Sequence, residues 1–267
     1  MQRVRGYAPV NGGRIYYEMI GDGSPLLLVH GFGLDTRMWE DQIDVFASRY
    51  RVICCDIRGF GRSDPPTKPF SQAGDLRALL SYLGINQAAV LGLSMGGGIA
   101  TVFSLLYPEA TRALMLADSN LWGLRWSPEG VAQWNEIERT AREQGIGAAR
   151  RMWLNHPFFA SARERPDLAA RLRQMVEDYS GWHWINPDLE IGLKPQPAKR
   201  LGEIRAPTLV LVGERDVPDF RRISDVLAAQ IPGARLVILP GVGHMSNMED
   251  PDGFNTVVLE FLESIEQ

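Results

Sequence analysis

Short apolar runs alternate with longer amphipathic stretches along most of the chain. The runs are 25–31 (PLLLVHG), 51–59 (RVICCDIRG), 88–94 (AAVLGLS), 112–118 (RALMLAD), 207–213 (PTLVLVG) and 234–241 (ARLVILPG). Their brevity and their Leu, Val and Ile content predict strands buried on both faces of a parallel sheet. An earlier segment, 13–21 (GRIYYEMIG), predicts one more strand near the start. Between the runs lie helical patterns. Met38, Ile43, Val45 and Phe46 mark an apolar side in 36–50, and Leu76, Leu79, Leu80 and Leu83 recur at three-four spacing until Gly84 stops them. Segments 221–231 and 253–265 read the same way. Strand and helix in alternation predict an α/β fold, a mostly parallel sheet flanked by helices with right-handed crossovers.

The rhythm breaks between about residues 121 and 200. No strand pattern is visible there, and helical segments such as 132–145 and 165–179 are rich in charge and aromatics. Six of the seven tryptophans fall in this stretch, and the Pro-rich 193–199 (LKPQPAK) reads as a return linker. The expected organisation is therefore a core made of 1–120 and 201–267 with a helical cap inserted at 121–200. Residues 78–108 carry no charge, which is long enough to suggest a membrane span. Gly84, Asn86, Gln87 and the glycines around Ser94 interrupt it, so it reads instead as helix end, buried strand, turn and second helix.

Composition narrows the function classes. The 267 residues, 45% of them hydrophobic, suffice for one large core. A formal net charge of −4 gives no reason to expect nucleic acid or an anionic membrane as partner. Cys54 and Cys55 sit side by side in an apolar run and read as small core residues, compatible with the cytosol. The first eighteen residues hold no apolar h-region, so no signal peptide is expected and a cytoplasmic location is. Oligomeric state leaves no trace in the sequence.

The chemistry centres on Gly92-Leu93-Ser94-Met95-Gly96. Ser94 follows a predicted buried strand and precedes a predicted helix, the context of a nucleophile elbow, and glycines on both sides let the chain turn tightly. A serine needs a base. Of the four histidines, His244 lies in a Gly-rich loop after the last predicted strand, at the sheet end where the elbow must be. His30 reads as a residue holding its own loop, and His183 as part of the insertion's core or a pocket wall. His156 also lies in the insertion. The orienting carboxylate is Asp216, after the strand that follows the insertion; Asp118 and Asp219 are its rivals. The backbone N–H groups of Met95 and Phe32 are the expected oxyanion hole. The tryptophans expected to line a substrate pocket are Trp122, Trp126, Trp153 and Trp184. No histidine or cysteine has metal-ligand spacing, so neither metal nor cofactor is expected.

The motifs HGFG, DIRGFGRSD, GLSMGG, LVGERD and GHMSNMEDP, in that order, resemble the α/β-hydrolase fold family, and the likeness covers nearly everything but the insertion. The resemblance implies a Ser-Asp-His triad of Ser94, Asp216 and His244, a helical cap at the insertion, and a structural loop at 59–64. It is closest to carboxylesterase and enol-lactonase-like members, which implies a small ester or lactone as substrate. Dehalogenases and epoxide hydrolases of this fold carry Asp in place of the serine. C–C hydrolases of the fold typically place Asn before the serine and Trp after the histidine; here these positions are Leu93 and Met245. C–C hydrolysis, peroxide-dependent acyl transfer and a ligand-binding receptor with residual hydrolysis are the alternatives for the same residues.

Overall fold

The computed structural model describes residues 3–266. Its strands are β1 (Arg3–Val10), β2 (Gly13–Ile20), β3 (Ser24–Val29), β4 (Tyr50–Cys55), β5 (Ala88–Leu93), β6 (Thr111–Ala117), β7 (Thr208–Gly213) and β8 (Arg235–Leu239). They form one sheet in the order β1-β2-β4-β3-β5-β6-β7-β8. The β1–β2 and β2–β4 pairs are antiparallel, and all the others are parallel. The interior strands β5 and β7 are buried at every position, as their unbroken Leu, Val, Ala and Gly runs require.

Two strands depart from the expectation. β8 is not buried on both faces: Arg235 is exposed and Ile238 is 52% exposed, because β8 is the last strand of the sheet. β1 has no counterpart among the predicted strands. It lies at the opposite edge, mostly exposed, and so has little hydrophobic signal. The signal that does mark it is Asn11-Gly12, both at positive φ (47° and 82°), a tight hairpin turn into β2.

Topology places the site. The chain runs from β3 outward to β4, then crosses back over β3 to reach β5. Reversal of strand order opens a crevice beyond the carboxyl ends of β3 and β5. Ser94 directly follows β5, and loop 30–34 follows β3. Asp118, Asp216 and His244 follow β6, β7 and β8 on the same edge of the sheet.

Segment 78–108 resolves into a helix, Gln72–Tyr82, capped by the Ser71 hydroxyl, then β5, then the helix Met95–Leu106. Among the described residues no helix is long and apolar enough to cross a membrane. Between β6 and β7 the chain forms helices Pro128–Gln144, Ile146–Leu154, Pro166–Asp178 and Trp182–Ile185. One isolated bridge, Phe70 to Glu190, pairs this stretch with the chain before the Gln72–Tyr82 helix.

The helices rest on the sheet through aromatics. The Phe32 ring lies 4.8–6.0 Å, centroid to centroid, from Trp134, Trp153, Tyr179, His183, Trp184 and, on its own side, Phe60. Most of these pairs are edge-to-face, the arrangement that aromatic quadrupoles favour. Polar ties secure the same junction. The Ser127 hydroxyl, at the start of the Pro128–Gln144 helix, donates to Asp219 at 2.5 Å, and the Ser161 hydroxyl donates to Glu249 at 2.6 Å.

Two histidines pack in this junction, His156 buried and His183 half-buried. His183 stacks on Phe60 at 4.2 Å and lies 2.9 Å from the Tyr179 hydroxyl; His156 packs between Trp153 and Phe158. Burial pushes both rings down, from the usual 6.5 to about 4; at His156 the charges of His244 and Arg163 add to the effect. The unfolded chain binds these protons more readily than the folded one. Their stability contribution is therefore complete above pH 6.5 and is lost as pH falls from 6.5 to about 4. A difference of that size is worth about 3 kcal/mol per histidine at the acid end. Thermal melts at half-unit intervals should show Tm falling across this window. His156→Phe should flatten the fall, and an unchanged slope in that variant would remove His156 from the explanation.

Candidate active site

Ser94 occupies a strained backbone position, φ 57° and ψ −120°, between β5 and the Met95–Leu106 helix. Sequence permits the turn because Gly92 and Gly96 have no side chain. A β-carbon on Gly92 would strike the Gly96 carbonyl, and one on Gly96 would strike the carbonyls of Val29 and His30. Both obstacles are backbone and cannot step aside. The Ser94 N–H donates to the Ala117 carbonyl at 2.9 Å, and its carbonyl accepts the Asn120 N–H at 2.9 Å. The elbow is thus pinned to β6 and to the chain just beyond it.

The side chains form a continuous line. The Ser94 Oγ lies 2.9 Å from His244 Nε2, and His244 Nδ1 lies 2.9 Å from Asp216 Oδ2. The second oxygen of Asp216 accepts the Val217 N–H at 2.6 Å. All three residues are buried. The loop that carries His244 is held from several sides. Glu249 accepts the N–H groups of Gly243 at 2.7 Å and Met245 at 3.2 Å, and the Asn247 amide donates to the Met38 carbonyl at 2.8 Å.

The rivals for the acid have other places. Asp219 accepts the Ser127 N–H and hydroxyl and pairs with Arg222, so it anchors a helix of the insertion. Asp118 sits behind Asp216: its Oδ1 accepts the Gly213 N–H at 2.8 Å, and the Ser246 hydroxyl contacts its Oδ2. Burial, with Asp216 beside it, drives the Asp118 carboxyl well above the ordinary carboxylate range. His30 holds its loop. Its Nε2 accepts the Ile57 N–H at 3.0 Å, and its Nδ1 lies 2.8 Å from the Gly31 carbonyl.

Beside Ser94 is a narrow cavity of about 10 Å³, room for little more than one water. Its walls include Phe32, Leu93, Trp153, Phe158, Phe159 and Met245, with no lysine or arginine. Of the four tryptophans expected there, only Trp153 lines it. Trp122 packs on Gly98 of the Met95–Leu106 helix, Trp126 packs on Phe158 and Phe220, and Trp184 is buried against Phe32 and Tyr179. Phe158 and Phe159 supply the remaining aromatic wall; the sequence expectation passed over them in favour of the larger tryptophans. Gly31 brings loop 30–34 onto Ser94, since a β-carbon there would lie 3.4 Å from that of the serine.

Among the described residues one cluster offers three possible metal donors, Asp118, Asp216 and His244. Both ring nitrogens of His244 are already engaged, one by Asp216 and one by Ser94. The cluster has the geometry of an acid–base chain and no ring nitrogen to spare for a metal.

A family model for the alpha/beta hydrolase fold matches residues 24–251. A putative carbamate hydrolase, RutD, of Azorhizobium caulinodans is 30% identical over 98% of this chain and 99% of its own length. A 2-hydroxy-6-oxononadienedioate/2-hydroxy-6-oxononatrienedioate hydrolase of Klebsiella pneumoniae is 32% identical over 93% of this chain and 91% of its own. Among solved structures, a thermophilic esterase of Thermogutta terrifontis superposes with a TM-score of 0.81 at 28% identity, all of both chains covered. The match spans β3 to β8, the elbow after β5 and the loop of His244 together, and on it the chain belongs to the α/β hydrolase fold family and is a hydrolase.

Proposed function

We propose that the protein is a serine hydrolase that cleaves a small, uncharged carboxylic ester or lactone through an acyl-enzyme. The observation that carries this reading is the hydrogen-bonded line Ser94–His244–Asp216 opening on an apolar cavity without a cation. His244 takes the Ser94 proton as Oγ bonds to the acyl carbon. The carbonyl π pair moves onto oxygen, and the backbone N–H groups of Phe32 and Met95 hold the resulting oxyanion. Met95 suits this role because it is the first residue of its helix, where an N–H has no intrahelical acceptor. Collapse of the adduct breaks the bond to the alcohol oxygen, which receives the proton from His244. A water, deprotonated by His244, then attacks the acyl-enzyme and releases the acid and Ser94. Asp216 keeps the His244 proton on Nδ1 and stabilises the imidazolium formed in each half-reaction. All of these groups belong to the chain, and the partner is a small molecule.

The cavity shapes the choice of substrate. At about 10 Å³ it lies far below the ~300–1,000 Å³ typical of ligand pockets, so its walls must part to admit a substrate, and short acyl groups demand the least movement. The Klebsiella relative is named for a dienedioate, a substrate class with two carboxylates. Here Leu93, Met245 and the rest of the wall place no lysine or arginine opposite such groups. Desolvating a polar group with no partner costs about 1–3 kcal/mol, and more for a charged one.

Three outcomes test the reading. Ser94→Ala should abolish labelling by a fluorophosphonate and lower kcat by roughly 10⁶, with Tm retained. Persistent labelling of that variant would place the nucleophile elsewhere. On p-nitrophenyl acetate, butyrate and octanoate, kcat/KM should fall with chain length and should exceed that on a dienedioate acid. Faster turnover of the dienedioate would overturn the ester assignment. Phe158→Ala, which removes one wall, should improve octanoate relative to acetate on the order of tenfold, the scale of a few methylenes admitted to an apolar pocket.

A further inference from the structure

Behind Asp216 lies a carboxyl that the hydrolytic steps leave unused. Asp118 follows β6 at a φ of 44° and is fully buried. Its Oδ1 accepts the N–H of Gly213, which leads into the loop of Asp216. Its Oδ2 meets the hydroxyl of Ser246, two residues beyond His244. One side chain thus ties the acid's loop to the base's loop. An oxygen of Asp118, an oxygen of Asp216 and a ring nitrogen of His244 also lie within 4.8 Å of one another. These two, Asp216 from the loop after β7 and His244 from the loop after β8, are the titratable groups that face it. Two carboxylates so close, and out of water, cannot both be ionised.

We propose that Asp118 and Asp216 form a carboxyl pair that holds one proton, with the proton on Asp118 and the charge on Asp216, so that Asp118 is a positioning residue of the triad. The donors decide where the charge sits. Asp216 receives both the His244 ring N–H and the Val217 N–H, which favour a carboxylate. Asp118 receives only neutral donors, the Gly213 N–H and the Ser246 hydroxyl, and that hydroxyl can turn to accept once Asp118 carries a proton. The upward displacement of Asp118 by burial and by Asp216 agrees with that division. The arrangement ties the two loops together while leaving a single negative charge beneath His244. It also follows that removing Asp216 lets Asp118 ionise and supply that charge in its place.

This inference rests on the triad reading above, and its test separates the two. The readout is the rate at which a fluorophosphonate labels Ser94, measured against pH. Asp216→Ala should keep a residual rate that rises with pH as one group ionises. Adding Asp118→Asn should abolish that rise and lower the rate by at least about tenfold more, a coupling that independent sites do not show. Asp118→Asn alone should slow labelling, by up to ~10-fold as the loops loosen, without displacing the pH limb of the wild type. Identical profiles for Asp216→Ala and the double variant would overturn the pair. So would a wild-type limb that moves to lower pH in Asp118→Asn, since that would mean Asp118 is charged in the resting enzyme. If the variants do not fold, infrared spectra of the wild-type protein with ¹³C-labelled aspartate decide the matter. A protonated aspartic carboxyl must be present at neutral pH, and its absence overturns the pair. Wild-type Ser94 that never labels would sink the triad reading instead, with the infrared band still deciding the proton.

Discussion

Ser94 sits in a backbone conformation that residues with a β-carbon resist, and much of the chain is arranged to hold it there. Such strain costs on the order of 1–3 kcal/mol and persists only where its surroundings over-determine it. Here the surroundings are β3, β5 and β6. The Val29 and His30 carbonyls crowd Gly96, the Ala117 carbonyl takes the Ser94 N–H, and Asn120 donates back to the Ser94 carbonyl. The buried apolar strands are therefore also the mould of the Ser94 turn. Relaxation of the elbow would lose its packing against three neighbouring strands at once.

The same crevice couples the inserted helices to the chemistry through Phe32. Its backbone belongs to the loop that packs on Ser94, and its ring is enclosed by Trp134, Trp153, Tyr179, His183 and Trp184. The insertion is consequently more than a cover. It fixes one wall of the cavity and, through Gly33, one side of the loop after β3. A β-carbon on Gly33 would press on the Trp153 indole, so sequence and packing agree on glycine there.

What the sequence made legible follows from how local each signal is. Ser94 and His244 are legible because each follows closely on a short apolar run that reads as a strand, so strand periodicity alone carries them to the same edge of the sheet. Asp216 and Asp118 satisfied the same rule, and periodicity could not separate them. Only the geometry shows that one faces His244 Nδ1 while the other bonds to Gly213 and Ser246. β1 escaped notice because an exposed edge strand has little hydrophobic pattern, although Asn11-Gly12 marked its turn. The contacts of Ser161 with Glu249 and of Phe158 with His244 join residues more than eighty positions apart, a tertiary fact with no local trace. The tryptophans illustrate the same limit. Their number pointed to an aromatic insertion, but which ring reaches Ser94 is decided by helix packing.

Charge is excluded from the site as carefully as aromatics are gathered there. The insertion is rich in arginine, yet none of its guanidinium groups lines the cavity beside Ser94. Arg150 donates to the Tyr179 carbonyl, Arg163 to the carbonyls of Leu154 and His156, and Arg215, from the turn beside Asp216, pairs with Glu164. The cavity wall is left with Phe, Leu, Met and Trp side chains around one imidazole and one hydroxyl. Low polarity strengthens each interaction along the Ser94–His244–Asp216 line, because little water competes for it. It also raises the penalty for every additional charge. Asp118 lies within that medium, fully buried and a few ångströms from Asp216. The enclosure around the Ser94–His244–Asp216 line therefore also disfavours a second carboxylate beside Asp216, so the apolar surroundings of the serine and the raised affinity of Asp118 for its proton have one physical origin.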